Sequence, residues 1–242
     1  YRAMVPNARG ATRAVAAGAD EVLGLSIISR TYLHKNQNMS REAALVEAVR
    51  AFEITQNAGK RFVMALGMAF WCPYEGLIPE ADVLDAVAQL HEAGVRAFYL
   101  AGSVGLEDPR HVGRLFHALC QRFPDTRFGY HIHDRGGFAP ANIVAALDAG
   151  VAWLEGAICG IGGGIAMPGS VGSLGNFPSE DLTNLMQASG VSTGLSLDDV
   201  LAAARDIAAL LDLPQQSRAA TGGTRAAVLK PAATPTAGGP AR

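Results

Sequence analysis

The stretch PEADVLDAVAQLHEAGVRAFYL, from Pro79 to Leu100, contains the unit that decides the fold. Pro79 to Ala93 carries apolar residues at helical spacing, and Ala93-Gly94-Val95 then ends the helix, because glycine at the C′ position can adopt the left-handed conformation. The short apolar run Ala97 to Leu100 follows as a strand. The same joint recurs at Ala17-Gly18-Ala19, Ala58-Gly59-Lys60 and Ala149-Gly150-Val151, each time before a new β-rich run. Spacing predicts strands at Arg2 to Val5, Glu21 to Ile28, Arg61 to Ala69, Ala97 to Leu100, Arg127 to His133 and Ala152 to Cys159. It predicts further helices at Ser40 to Ala58, Pro109 to Arg122, Pro140 to Ala149, Ser179 to Ser189 and Ser196 to Leu211. Strands alternating with helices make an α/β fold with a parallel sheet, and a (β/α) barrel or a doubly wound sheet satisfies the pattern. No GxGxxG opens a helix after the first strand and no GxxxxGK[ST] is present, which argues against nucleotide binding.

The chain has 242 residues, 49% hydrophobic and 17% charged, enough for one compact domain. A formal charge of −2 and the lack of any dense Lys/Arg run argue against nucleic acid or an anionic membrane as partner. Apolar runs such as Arg61 to Trp71 fall short of the roughly 18 residues of a spanning helix. Three cysteines, Cys72, Cys120 and Cys159, without paired spacing suit a reducing compartment and point to the cytoplasm. The repeating units occupy residues 1–214. From Gln215 to the end the composition turns to Ala, Thr, Pro and Gly without an acidic residue, the signature of a flexible tail or one ordered against a partner.

The strongest chemical feature is His131-Ile132-His133-Asp134 at a strand's end. Alternation along a strand puts both imidazoles on one face, at the sheet end where barrel active sites lie. The pair suits a divalent metal, and equally a pair of ordinary hydrogen-bonded histidines. A third ligand is available on the glycine-rich segment after the next strand, Gly160 to Asn176. Its glycines permit close backbone approach, and the amide oxygen of Asn176 fits Mg²⁺ or Mn²⁺ better than zinc. Cys72-Pro73-Tyr74-Glu75-Gly76 reads as a rigid shaped loop.

These motifs resemble the 3-hydroxy-3-methylglutaryl-CoA lyase family. The similarity runs through Val5-Pro6-Asn7-Ala8-Arg9-Gly10, Lys35-Asn36-Gln37-Asn38, Cys72 to Gly76, His131 to Asp134, Gly160 to Gly163, Gly175-Asn176 and Glu180-Asp181-Leu182, and spans the chain to about Gly194. It implies a (β/α)8 TIM barrel that cleaves a 3-hydroxyacyl-CoA between C2 and C3, giving a shorter acyl-CoA and a carbonyl product, in a homodimer. By the same resemblance His131, His133 and Asn176 hold Mg²⁺ or Mn²⁺, His131 also moves the hydroxyl proton, and Ser103 contacts the substrate.

Several positions depart from the family pattern. The opening two βα units, with a further acidic metal ligand, are expected to be missing ahead of Tyr1. The family's loop cysteine is Gly164 here, and the loop is longer by about three residues, with Met167 and Pro168 inserted. The family's Gly-Asp-Thr reads Ala101-Gly102-Ser103, so a carboxylate is lost and a hydroxyl kept. Arg135 places a new cation after His131-Ile132-His133-Asp134. Two other functions share the scaffold: an aldolase acting on a free 2-oxo acid without CoA, and a catalytically silent homologue. The Cys72 to Gly76 element favours the CoA lyases over the aldolase.

Overall fold

The computed structural model describes residues 1–163, 167–169 and 175–229. Its main sheet has six parallel strands: β1 (Arg2–Val5), β2 (Glu21–Ile27), β3 (Arg61–Gly67), β6 (Ala97–Ala101), β7 (Arg127–His131) and β8 (Trp153–Glu155), in the order β1-β2-β3-β6-β7-β8. Two further strands, β4 (Trp71–Cys72) and β5 (Gly76–Leu77), form a small antiparallel hairpin. Between strands run α1 (Ala8–Ala16), α2 (Arg30–Gln37), α3 (Arg41–Asn57), α4 (Glu80–Glu92), α5 (Pro109–Arg122) and α6 (Ala139–Asp148). After β8 come α7 (Ser179–Ala188), α8 (Leu197–Leu211), α9 (Arg218–Gly222) and α10 (Arg225–Val228).

Spatial order follows chain order, the rule for successive right-handed βα units. The sheet is curled: the Arg2 guanidinium on edge strand β1 reaches the Glu155 carboxylate on the opposite edge strand β8. This is an α/β half-barrel of six described strands; the eight-stranded barrel implied by the resemblance is not a closed ring in the described residues. All four predicted joints form, with φ of 82° at Gly18, 66° at Gly59, 104° at Gly94 and 96° at Gly150.

Both faces of the sheet are apolar, as in parallel sheets covered on each side. On the concave face Leu23, Val63, Ala65, Tyr99 and Ala101 form one cluster. On the convex face Phe98 stacks on Phe128 with ring centroids 6.0 Å apart, and Phe116 and Phe70 meet the Tyr130 ring edge-on at 5.6 and 5.9 Å.

Three strands stop short of their apolar runs. β3 ends at Gly67 and β7 at His131. The run expected to continue to Cys159 ends at Glu155, and the chain turns at Ile158–Gly160 with Cys159 in the left-handed region at φ 55°. Hydrophobicity persists past these ends because the loops themselves are packed. Helix α2 carries no clear periodic signal, since Tyr32 and Leu33 are its only buried residues; Ser29 caps it, accepting from the Tyr32 amide at 3.0 Å.

The tail differs from its composition. Asp181 on α7 accepts hydrogen bonds from Ser217 Oγ (2.8 Å) and from the backbone amides of Arg218 (2.9 Å) and Ala219 (2.7 Å), and Ser217 is fully buried. One carboxylate thus docks α9 on the body of the domain; residues 230–242 lie outside the described residues. Among the described residues no helix is long and apolar enough to cross a membrane.

Charge-assisted bonds contribute about 1.5–3 kcal/mol each. Asp181→Ala is therefore expected to release the segment from Ser217 onward, measured as faster proteolysis between residues 217 and 229. Cleavage within α4 or α5 is expected to stay at the parent rate.

Candidate active site at the strand ends

The C-terminal ends of β2, β3, β6 and β7 open into a cavity of about 170 Å³ whose lining includes Leu25, Met68, Tyr99, Ser103, His131 and His133. The two histidines share it because residues 131–133 stay extended past the end of β7. The Gly102 amide donates to His131 O (3.0 Å), the Ile132 amide to Glu155 O (3.1 Å) and the Phe177 amide to Ile132 O (2.8 Å). Strand alternation therefore persists: Ile132 is buried in the main core, while the imidazoles meet at 5.3 Å between centroids and 74°.

His131 is held from two sides. Its ring stacks on Tyr99 at 5.4 Å and 30°, and its Nδ1 lies 3.5 Å from Glu155 Oε2. That separation is an ion-pair distance, longer than a good hydrogen bond. Burial alone would raise the Glu155 carboxyl, but the neighbouring His131 and Arg2 outweigh it and hold it below the ordinary carboxylate range. His133 is buried, with Nδ1 3.0 Å from Gly175 O. As a donor to that carbonyl, Nδ1 leaves Nε2 as the lone-pair nitrogen.

Asn176 is brought beside the pair through backbone, since it forms an antiparallel bridge with His133. Its Nδ2 donates to Ile161 O at 2.6 Å, and its buried Oδ1 has no hydrogen-bond partner among the described residues. The residue lines a neighbouring cavity of about 550 Å³, together with Asp134 and Phe177, and does not line the histidine cavity. The glycine run allows this approach: a Cβ on Gly175 would lie 2.1 Å from Gly160 O, and one on Gly162 would lie 2.3 Å from Asn176 Nδ2.

Ser103 follows β6, and its Oγ accepts from the Met68 amide at 3.0 Å. Met68 is buried with φ 53°, a costly conformation for a non-glycine residue, which this bond helps to hold. Arg135 is exposed and does not line the histidine cavity. The loop from Cys72 to Gly76 is a brace: Glu75 accepts from the Thr31 amide at 2.6 Å, Cys72 Sγ lies 3.0 Å from Ser29 Oγ, and Lys35 Nζ sits 4.9 Å over the Tyr74 ring. Cys159 is likewise structural, its amide donating to Glu180 and its thiol to Ala204 O at 3.1 Å. Gly164 lies outside the described residues.

Tyr99 and Glu155 escape sequence reading because neither stands in a motif. A register argument could find them: Ala101 pairs with His131 and His131 with Glu155, which puts Tyr99, two residues back along β6, on the concave face beside the imidazole.

The family model described as HMGL-like matches residues 2–207. Hydroxymethylglutaryl-CoA lyase YngG of Bacillus subtilis is 32% identical over 218 residues, which are 90% of this chain and 72% of that protein. The human mitochondrial hydroxymethylglutaryl-CoA lyase is 30% identical over 220 residues, 91% of this chain and 67% of that protein. Among solved structures, an HMG-CoA lyase from Acinetobacter baumannii in complex with coenzyme A and 3-methylmalate superposes with a TM-score of 0.88 at 29% identity, covering 96% of this chain and 75% of that one. The Bacillus subtilis HMG-CoA lyase structure gives 0.85 at 32% identity, over 92% and 74%. With the match running from β1 into α8 and the histidine pair seated at the strand ends, the chain belongs to the HMGL-like family.

Proposed function

We propose that this chain is a metal-dependent carbon–carbon lyase that cleaves a 3-hydroxyacyl-CoA, 3-hydroxy-3-methylglutaryl-CoA or a related ester, to an acyl-CoA and a carbonyl product. The observation that carries the reading is the convergence of His131, His133 and Ser103 on one cavity, with Asn176 bridged to His133, in a member of this family. The CoA bound by the relative from Acinetobacter baumannii supports an acyl-CoA substrate.

The donor set fits a divalent cation. His133 presents Nε2 when Nδ1 is committed to Gly175 O, an outer hydrogen bond of the kind that orients metal-ligating histidines. Among the described residues Asn176 Oδ1 is a buried oxygen without a hydrogen-bond partner, a cost that a cation would remove. The assigned donors are His131, His133 and Asn176, and an amide oxygen among them favours Mg²⁺ or Mn²⁺; among the described residues no three His, Cys, Asp or Glu side chains converge. Bound there, the ion would lower the pKa of the substrate alcohol and offset negative charge on its oxygen.

The remaining chemistry belongs to side chains. His131 takes the proton of the 3-hydroxyl; the C2–C3 bond breaks, its electron pair passes to C2 as the thioester enolate, and the alcohol carbon becomes the carbonyl. Tyr99 stacked on one side and Glu155 near Nδ1 keep the imidazole from turning away, and Glu155 stabilises the imidazolium that forms; His131 fills its two roles in turn, because an imidazolium has no lone pair for a cation. Ser103 offers its hydroxyl to a substrate oxygen while it accepts from the Met68 amide. A proton from water delivered to C2 completes the acyl-CoA, and His131 returns the hydroxyl proton to water; position 164 is glycine, so no thiol is supplied there.

Three outcomes are expected. His133→Ala abolishes saturable Mn²⁺ binding, read by isothermal titration, and unchanged affinity would remove the metal assignment. Incubation with a panel of 3-hydroxyacyl-CoA esters gives acyl-CoA products by mass spectrometry only with Mg²⁺ or Mn²⁺. Cleavage of 2-oxo acids that is indifferent to CoA would instead indicate the aldolase, and metal binding without turnover the silent homologue. His131→Ala lowers kcat by about 10²–10⁴, the usual span for loss of a general base.

A further inference from the structure

Behind the site, on the convex side of the sheet, lies a polar cluster that the mechanism does not use. Glu107 has no exposed surface. Its Oε1 accepts from the Tyr130 hydroxyl at 2.6 Å, and its backbone carbonyl accepts from Asn142 Nδ2 at 2.9 Å. A Cβ built on Gly102 would lie 1.8 Å from Glu107 Oε1 and 2.6 Å from its Cδ. Gly102 takes no positive φ, so what keeps a side chain off position 102 is the carboxyl of Glu107 and not the backbone. The side-chain space beside Gly102 is thus filled by a carboxyl that arrives from five residues downstream.

The intervening turn has contacts on both sides. The Gly102 amide donates to His131 O, the Gly105 amide to Gly102 O at 2.9 Å, and the Gly136 amide to Gly105 O at 2.8 Å. Tyr130 precedes His131 in β7, and Ser103 stands inside the turn. A force on Glu107 is therefore transmitted to the hydroxyl that holds Met68 and to the carbonyl of the catalytic histidine. Glu107 Oε2 and Asn142 Oδ1 are both buried without partners among the described residues. Burial pushes the Glu107 carboxyl up against the pull of its hydrogen bonds, and a proton held on Oε2 would turn one orphan acceptor into a donor.

We propose that Glu107 is a positioning residue for the reaction: its carboxyl replaces the side chain absent at Gly102 and clamps the turn carrying Ser103 onto the end of β7. The inference rests on the lyase reading for its kinetic consequence, while the clamp itself is a statement about structure.

The experiment is a swap, with Gly102→Asp, Glu107→Gly and the double variant compared with Glu107→Gln and Glu107→Ala. Hydrogen exchange of the Met68 amide reports Ser103 directly, because that amide donates to Ser103 Oγ. Glu107→Ala and Gly102→Asp are expected to lose Met68 protection and to lower kcat by about 100-fold, the scale of an ångström-sized misplacement, with KM moving less than about threefold. Glu107→Gln keeps the acceptor for Tyr130 and is expected within about threefold of the parent, and the double variant regains most of what Gly102→Asp loses. Undiminished Met68 protection in Glu107→Ala overturns the proposal. So does a double variant no better than Gly102→Asp, or a set in which the unfolding temperature falls while kcat does not. If the parent cleaves no ester the lyase reading fails, and Met68 exchange across the same variants still decides the clamp.

Discussion

The site depends on three backbone hydrogen bonds that flank the end of β7. Strand pairing stops at His131, yet Gly102 on one side, Glu155 on the other and Phe177 beyond keep residues 131–133 extended. Extended backbone preserves the two-residue period, and the period sends both imidazoles into one cavity with Ile132 in the opposite layer. A helical or turned residue at position 132 would send the histidines apart. Every feature of the site therefore follows from partners that β7 finds on neighbouring segments, including one 45 residues further along the chain at Phe177.

The curled sheet separates two polar systems that differ in purpose. On the concave side the Arg2–Glu155 ion pair spans from one edge strand to the other, with His131 beside the Glu155 carboxylate. On the convex side Tyr130, Glu107 and Asn142 form a buried hydrogen-bonded cluster sealed among Phe70, Phe116 and the helices. Burying polar groups is costly unless they are paired, so each system must be nearly complete to exist at all. The few orphan atoms are informative: Asn176 Oδ1 lies next to the histidine backbone, and Glu107 Oε2 lies behind the loop that carries Ser103.

Family membership and local chemistry point the same way but through different residues. The loop from Cys72 to Gly76, the most family-specific stretch of the sequence, braces α2 and contributes nothing to the histidine cavity. The loss of a carboxylate at position 102 looks like a change at the active site in the sequence. In the structure Gly102 faces the helix layer, and the Glu107 carboxyl stands in the space beside it. A motif comparison compares positions along a chain, whereas a pocket is filled by whatever side chain reaches it.

The α/β units, their joints and the shared face of His131 and His133 are legible in the amino-acid sequence. Each of these is local: a glycine that ends a helix, a period of 3.6 or 2. The sequence misplaced strand ends, and composition, which counts polarity, cannot see that Asp181 accepts from residues 217–219. Only the tertiary structure decided that Asn176 lies against His133, that Glu107 occupies the space beside Gly102, and that Arg2 meets Glu155, 153 residues away. The curl of the sheet and the paths of its loops bring these groups together, and no periodicity in the chain encodes where two loops will meet.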